Sequence, residues 1–223
     1  FEIWDNLGIK EAVEMIKSCG EEIPSWITEM IESGAKSFYV FEDGKKKFYD
    51  INSKKYINVP SSENHYILDA FRENKQILKN PECTVHDIGD GVMCIEFQTK
   101  GNSIGEGVAR GINEAIDIAE RDGWNGIVIG NNDKQFSVGA NLMNMGMMAM
   151  QKNFDEIEKF LVGFQQILMR MRTCNVPVVS ATHGFVMGGG LEVSIHCDAG
   201  IHASESYIGL VEAGVGLIPG GGG

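Results

Sequence analysis

Three consecutive glycines at positions 188–190 run straight into an apolar segment that carries a single glutamate, Glu192. The apolar segment predicts a helix over residues 191–197. Glycines leave the backbone bare, so a ligand can come within hydrogen-bonding distance of the amides. N–H groups at the start of a helix lack intrahelical partners and carry partial positive charge. The arrangement suits an oxygen atom that becomes negative during a reaction, with Glu192 facing the same place.

A second carboxylate, Glu212, lies in the otherwise uncharged run 207–223. Glycine-rich turns before helices are most often only tight turns, and the glycines alone favour that interpretation. Two isolated carboxylates in apolar surroundings favour a functional site instead, because a buried glutamate is costly to ionise. Two carboxylates that face one water molecule can divide its proton transfers between them.

Three sequence blocks occur in order: FSVGANL at 136–142, GGGLE at 188–192 and IGLVEAGVGLIPGG at 208–221. As a set, they resemble the enoyl-CoA hydratase (crotonase) superfamily, and the resemblance covers roughly residues 85–223. It implies an α/β (α+β) fold built as a spiral of ββα units. It also implies a coenzyme A thioester as the substrate.

The resemblance implies roles for individual residues in adding water to the double bond next to a thioester carbonyl. The backbone N–H groups of Ala140 and Gly189 would form an oxyanion hole, where loss of one donor typically costs about 3–4 kcal/mol. Glu192 would orient and activate water, and Glu212 would give a proton to the α-carbon. Gly220 would help to position the water or the second glutamate. The two acids would titrate as a coupled pair.

Coenzyme A recognition is weakly marked in the sequence. The first block, residues 136–142, would form a loop, called here the first loop. By the resemblance, its backbone groups near Val138 and Ala140 would hold the adenine. Gly139, Gly188 and Gly220 complete the predicted substrate-binding set.

Three further features surround the first block. Lys134 is a candidate phosphate contact, although a solvent-facing lysine is the commoner case. Asn141 stands where the family more often has Asp, and the change leaves the Ala140 amide in place. The methionines that follow predict either adaptable core filling or a pliable wall for an acyl chain. They are Met143, Met145, Met147, Met148 and Met150.

The presence of both acids favours a hydratase over other enzymes of this fold, because isomerases, hydrolases and decarboxylases commonly change one or both. We therefore expect hydration of trans-2-enoyl-CoA to 3-hydroxyacyl-CoA in fatty-acid β-oxidation, with no cofactor in that step. Two alternatives stay open: an enoyl-CoA isomerase, and a non-catalytic module that binds acyl-CoA or holds an assembly together.

The elements that must position these residues follow from hydrophobic periodicity. Short apolar runs predict strands, and apolar residues at helical spacing predict amphipathic helices between them. The predicted strands cover 92–97, 126–130 and 176–181, and the predicted helices cover 104–121 and 154–172.

Residues 1–80 predict a small, mostly helical unit with a hairpin. The expected elements are helices over 10–19 and 25–32, an Asp43-Gly44 hairpin turn, a strand over 56–59 and a connecting helix over 66–79. The segment is similar to the C-terminal part of 3-hydroxyacyl-CoA dehydrogenases that are fused to a hydratase. This similarity implies NAD as the cofactor of a dehydrogenase half whose nucleotide-binding part would precede Phe1.

The glycine cluster at 105–111 does not supply that nucleotide site, because its spacing is one residue too long for the dinucleotide fingerprint. It predicts a helix start instead. The expected organisation is therefore a dehydrogenase remnant over 1–80 and a crotonase-like domain over 81–223. We expect both to be an excerpt of a longer protein, with the second domain truncated at its C-terminal end.

Composition excludes several classes of partner. The net charge of −12 argues against nucleic acid and anionic membranes, and no apolar run approaches the roughly 20 residues that span a bilayer. Five cysteines without close-set pairs predict reduced thiols and a cytoplasmic protein. The histidines show no metal-ligand spacing, so no metal is expected. The expected partners are an acyl-CoA substrate, a second copy of the chain and a thiolase.

Overall fold

The computed structural model describes residues 1–42, 45–60, 66–71 and 75–223. The chain divides into two units, Phe1–Glu73 and Asn74–Gly223. The sequence placed the junction a few residues later, at position 80.

In its described residues, the first unit combines three α-helices and a short 3₁₀ helix with a three-stranded antiparallel sheet. Its core is formed by apolar side chains from both layers, among them Ile9, Ile27, Met30 and Phe38. The predicted helices, hairpin strands and third strand are confirmed, whereas the Asp43-Gly44 turn lies outside the described residues. The elements are α1 (Glu2–Leu7), α2 (Ile9–Ser18), α3 (Ser25–Glu32), β1 (Tyr39–Glu42), β2 (Lys45–Asp50) and β3 (Lys55–Asn58).

The predicted connecting helix over 66–79 is wrong in its last part. A short 3₁₀ helix covers Leu68–Phe71, but Gln76–Lys79 forms strand β4. This strand pairs antiparallel with β5 (Cys83–Gly89). Pairing with a neighbouring strand satisfies the backbone of residues 76–79 and overrides their local helical pattern.

The second unit is built on a six-stranded mixed sheet with the order β10-β8-β7-β6-β5-β4. Strands β4 to β6 are antiparallel, and β6, β7, β8 and β10 run parallel. A separate parallel pair joins β9 to β11. This mixed α/β architecture confirms the predicted fold class. The remaining strands are β6 (Val92–Phe97), β7 (Gly126–Ile129), β8 (Val178–Thr182), β9 (Phe185–Met187), β10 (Ala199–His202) and β11 (Tyr207–Gly209).

Helix α4 (Glu106–Asp122) supplies much of the core of this unit. Val108, Ile112 and Ile116 recur at helical spacing and are buried in the same cluster as sheet residues such as Ile95. The Glu82 carboxylate accepts hydrogen bonds from the N–H groups of Gly107 (2.9 Å) and Val108 (3.2 Å). A negative charge at this end of the helix satisfies backbone donors that would otherwise lack partners.

Three more helices complete the second unit: α5 (Leu142–Met150), α6 (Phe154–Thr173) and α7 (Gly189–Ile195). Helix α6 matches its prediction closely, while α7 begins two residues earlier than the predicted helix. Helix α5 and strands β5, β9, β10 and β11 have no counterpart among the predicted elements. In the part of the chain that the structure describes, no helix combines the length and apolar character needed to cross a membrane.

The environments of the five free cysteines predict different reactivities. Burial raises the pKa of Cys83, Cys94 and Cys197 to about 12, whereas Cys19 is exposed. The three thiols with a raised pKa stay protonated at neutral pH. Because the thiolate is the reactive form, these three thiols should be alkylated slowly.

This prediction is tested by brief iodoacetamide treatment at pH 7.5, with peptide mass spectrometry to quantify each site. Cys19 should be modified at least tenfold faster than Cys83 or Cys94, and prior unfolding should equalise the rates. Rapid native-state labelling of Cys94 would contradict the assigned burial.

Candidate active site

The glycine turn before α7 has a backbone conformation that other residues rarely adopt. Gly188 has φ 49° and ψ −121°. A Cβ at this position would lie 2.8 Å from Oε1 of Glu212. Strand β9 ends at Met187, so the turn delivers Gly189 as the first residue of α7. Gly188 therefore brings bare backbone close to a carboxylate.

The first loop, residues 136–142, is fixed by backbone contacts on two sides. Ser137 pairs with Val186 of β9, and Ala140 forms an isolated parallel bridge with Ile104. In that bridge the Ile104 N–H donates to Gly139 O (2.8 Å), and the Asn141 N–H donates to Ile104 O (3.2 Å). The N–H of Ala140 itself therefore points away from Ile104.

The two loops touch through their backbones. A Cβ at Gly189 would lie 3.3 Å from the Ala140 nitrogen, and a Cβ at Gly139 would lie 3.1 Å from the Gly189 nitrogen. Among the described residues, neither the Ala140 N–H nor the Gly189 N–H donates a hydrogen bond. Both residues line the same cavity. Two unpaired donors side by side can bind one anionic oxygen.

Both predicted acids reach this cavity but differ in their surroundings. Glu192 is 3 % exposed, and its Oε1 accepts hydrogen bonds from the N–H groups of Gly221 (2.7 Å), Gly222 (3.0 Å) and Gly223 (3.2 Å). Glu212 begins a 3₁₀ helix, Glu212–Val215. Its Oε2 is buried and has no hydrogen-bond partner among the described residues. An unpaired buried acceptor is costly unless a ligand or water completes it.

The cavity has a volume of about 480 Å³. Its polar lining comes from the two carboxylates, Gln165 and loop backbone, and apolar side chains form most of the remaining wall. All the predicted site residues line it, namely Val138, Gly139, Ala140, Gly188, Gly189, Glu192, Glu212 and Gly220. The candidate phosphate contact Lys134 is exposed and does not line this cavity.

Helix α6 supplies a wall that the sequence did not assign to the site. Phe160, Leu161 and Phe164 line the cavity, and Gln165 donates a hydrogen bond to Gly220 O (2.6 Å). The helical spacing of the apolar residues indicated only a buried face, because core and pocket residues share that pattern. No local signal joins Gln165 to a glycine 55 residues later.

Among the methionines that follow the first block, one supports the interpretation as an apolar wall, and three do not support core filling. Met145 lines the cavity, so it fits an apolar wall for an acyl group. Met143, Met147 and Met150 are exposed, so they fill no core within the second unit.

The different surroundings of two glycines predict opposite effects on stability when each is replaced by alanine. Gly139 has φ +90°, and an added Cβ would lie 2.7 Å from the Met187 carbonyl oxygen. Gly139→Ala should therefore destabilise the second unit by about 1–3 kcal/mol. Gly163 lies inside α6 with no atom within 4 Å of an added Cβ, so Gly163→Ala should stabilise by about 0.5–1 kcal/mol.

Thermal unfolding followed by circular dichroism tests the pair. The Gly139→Ala protein should melt below the parent protein and the Gly163→Ala protein at or above it. Equal melting temperatures would show that the loop has room to relax.

Comparisons with known proteins give a family match and several similar proteins. The family model described as enoyl-CoA hydratase/isomerase matches residues 87–223. The whole chain is 39 % identical over 224 residues to a probable 3-hydroxyacyl-CoA dehydrogenase of Bacillus subtilis, of which it covers 28 %. A putative fatty acid oxidation complex trifunctional enzyme of Rickettsia felis is 30 % identical over 78 % of the chain, which covers 24 % of that protein. The chain thus spans less than a third of these relatives.

Solved structures share the fold of the second unit. An enoyl-CoA hydratase from a Polaromonas species matches with a TM-score of 0.59 and 21 % identity, over 62 % of this chain and 55 % of that one. An enoyl-CoA hydratase from Thermoplasma volcanium matches with a TM-score of 0.57 and 25 % identity, over 65 % of this chain and 56 % of that one.

Proposed function

Because the chain belongs to the enoyl-CoA hydratase/isomerase family, we propose that its second unit adds water to the double bond of a trans-2-enoyl-CoA in fatty-acid β-oxidation. The observation that carries the proposal is the convergence of two unpaired N–H groups and two carboxylates on one apolar cavity. The similarity to fatty acid oxidation complex proteins supports the metabolic context.

The first requirement of the reaction is stabilisation of the negative charge that develops on the thioester carbonyl oxygen. As the water oxygen bonds to the β-carbon, the double-bond electrons move toward the carbonyl and an enolate develops. The N–H groups of Ala140 and Gly189 would hold that oxyanion, and fixed donors of this kind stabilise the transition state because they need no reorganisation. Their placement against each other supports this role.

Proton transfer is the second requirement. The attacking water loses one proton to a carboxylate, and the α-carbon gains one proton, so the elements of water are added without any redox change. We assign Glu192 to orienting and activating the water, and Glu212 to protonating the α-carbon. Gly220 lies in the loop that is adjacent to Glu192 and lines the same cavity.

The two alternatives predict different behaviour from the same cavity. An isomerase moves a double bond with one proton abstracted and one returned, and it consumes no water. A binding module holds the thioester without turnover. The presence of both acids at the cavity supports the hydratase, because water addition needs a group for the water and a group for the α-carbon.

The activity of the longer protein is a separate proposal. The match to a probable 3-hydroxyacyl-CoA dehydrogenase runs through the first unit as well as the second, so we propose a bifunctional hydratase and dehydrogenase. Its expected partners are a thiolase and further copies of the chain, in the cytoplasm.

The glycine cluster at 105–111 does not fit the NAD that such a dehydrogenase would use. It begins α4, as the sequence predicted, and its glycines face Glu82 and Cys83. A Cβ at Gly107 would meet the Glu82 side chain at 2.8 Å, and one at Gly111 would meet Cys83 Sγ at 2.7 Å. Contact with protein side chains leaves no approach for a pyrophosphate.

Replacement of each acid by its amide tests the hydratase proposal. Glu192→Gln and Glu212→Gln keep the size of the side chain but remove the proton-transferring group, so each should lower kcat by about 10²–10⁴. The measurement is loss of enoyl-thioester absorbance with crotonyl-CoA and the full-length protein. Glu205→Gln, at an exposed glutamate outside the cavity, is the matched control.

Three outcomes decide between the candidates. Full hydration by either amide variant would remove that glutamate from the mechanism. Conversion of a 3-enoyl-CoA to the 2-enoyl isomer without hydration would favour the isomerase. Saturable binding of the thioester by the parent protein with no turnover would favour the binding module.

A further inference from the structure

Ser137 occupies the point where the two loops of the oxyanion hole meet. It is fully buried. Its N–H donates to Phe185 O, and its carbonyl accepts from the Met187 N–H, both at 3.0 Å. The backbone of the first loop is therefore fixed to β9, the strand that leads into the glycine turn.

The side chain of Ser137 makes one hydrogen bond within the first loop and one to a neighbouring segment of the chain. Its Oγ donates to the Asn102 carbonyl (2.7 Å) and accepts from the Gly139 N–H (3.0 Å). The second bond holds the Val138–Gly139 peptide, which immediately precedes the peptide that carries the Ala140 N–H. Asn102 is held in turn, because its side-chain Nδ2 donates to the Gln135 carbonyl (2.9 Å).

The same side chain also contacts the glycine turn, residues 188–190. A Cβ at Gly190 would lie 2.7 Å from the Ser137 Cβ and 3.0 Å from its Oγ. The start of α7 thus rests on Ser137, one residue after Gly189. One hydroxymethyl group touches the segments that carry both unpaired N–H donors.

This inference rests on the proposed function: we infer that Ser137 is a positioning residue of the oxyanion hole. Its hydroxyl holds the Val138–Gly139 peptide and so the backbone that leads into the Ala140 N–H. Its contact with Gly190 sets the distance to Gly189. Alanine would leave the Gly139 N–H and the Asn102 carbonyl without this partner in a buried place. Small errors in the position of the two N–H donors have large effects on rate, because the donors must lie within hydrogen-bonding distance of the oxyanion in the transition state.

Ser137→Ala in the full-length protein is the main test. We expect kcat with crotonyl-CoA to fall by about 10- to 100-fold, with KM changed less than about threefold, since the lost alignment matters mainly in the transition state. The second readout is the absorbance red shift of a bound dienoyl-CoA, which reports polarisation of the thioester carbonyl. This shift should shrink in the variant.

Ser180→Ala is the matched control, because Ser180 is equally buried and its Oγ is hydrogen-bonded to Ser194 Oγ (2.8 Å) away from the cavity lining. It should lower thermal stability to a similar extent and leave kcat and the red shift within about twofold of the parent. Should Ser137→Ala fail to fold, Ser137→Cys retains a weak donor at the position and should give intermediate values.

The outcomes separate this inference from the proposed function. Reduced stability of Ser137→Ala with unchanged kcat and unchanged red shift would overturn the positioning role. A parent protein that shifts the dienoyl-CoA spectrum but hydrates nothing would overturn the hydratase proposal, while the spectrum of Ser137→Ala would still test Ser137. A parent protein that gives neither signal would overturn both.

Discussion

The site depends on backbone-to-backbone contact between two loops that are far apart in sequence. The Gly139–Ala140 segment and the Gly188–Gly190 turn lie so close that a Cβ at Gly139 would be 2.7 Å from a carbonyl oxygen and 3.1 Å from a nitrogen. Such contact is possible only without side chains and with positive φ at Gly139 and Gly188. Leaving two N–H groups unpaired at this contact is unfavourable, so the surrounding structure must hold them there.

Two neighbouring strands of the six-stranded sheet lead into the segments that carry these loops. Parallel strands β7 and β8 run side by side, and the segments that follow them carry the first loop and the glycine turn. Both loops therefore emerge from neighbouring strands at their carboxyl ends, the usual location of sites in parallel sheets. The bridges from Ser137 to Val186 and from Ala140 to Ile104 then fix the first loop to backbone on both sides.

The sequence predicted the parts of this structure that have local signals. The amphipathic spacing in α4 and α6 and the apolar runs of β6, β7 and β8 identified those elements within one or two residues at most boundaries. Strand β4 was predicted as helix because its strand character comes from pairing with β5, a contact that periodicity does not show. Helix α5 was missed because its run of methionines is apolar nearly all round and lacks a clear amphipathic pattern.

For the site, resemblance and geometry contributed different residues. The block pattern identified the glutamates and glycines, because those are the residues to which the family resemblance assigns chemistry. It could not identify Ser137 or Gln165 as supports, since their function consists of contacts with Gly139, Gly190 and Gly220 that exist only after folding. The sequence also could not assign Phe160 and Phe164 to the site, because one apolar helix face can pack against protein or against a ligand.

The two carboxylates are not equivalent, and this asymmetry supports a division of labour between them. Glu192 has an oxygen held by three backbone N–H groups, which fix its position. Glu212 has a buried oxygen without a partner among the described residues and lies against the bare backbone of Gly188, next to Gly189. A fixed acceptor suits the orientation of a small molecule such as water, because the direction of attack is then set in advance. An unsatisfied oxygen gains its partner only when substrate or solvent enters, which suits the group that exchanges a proton with the substrate carbon.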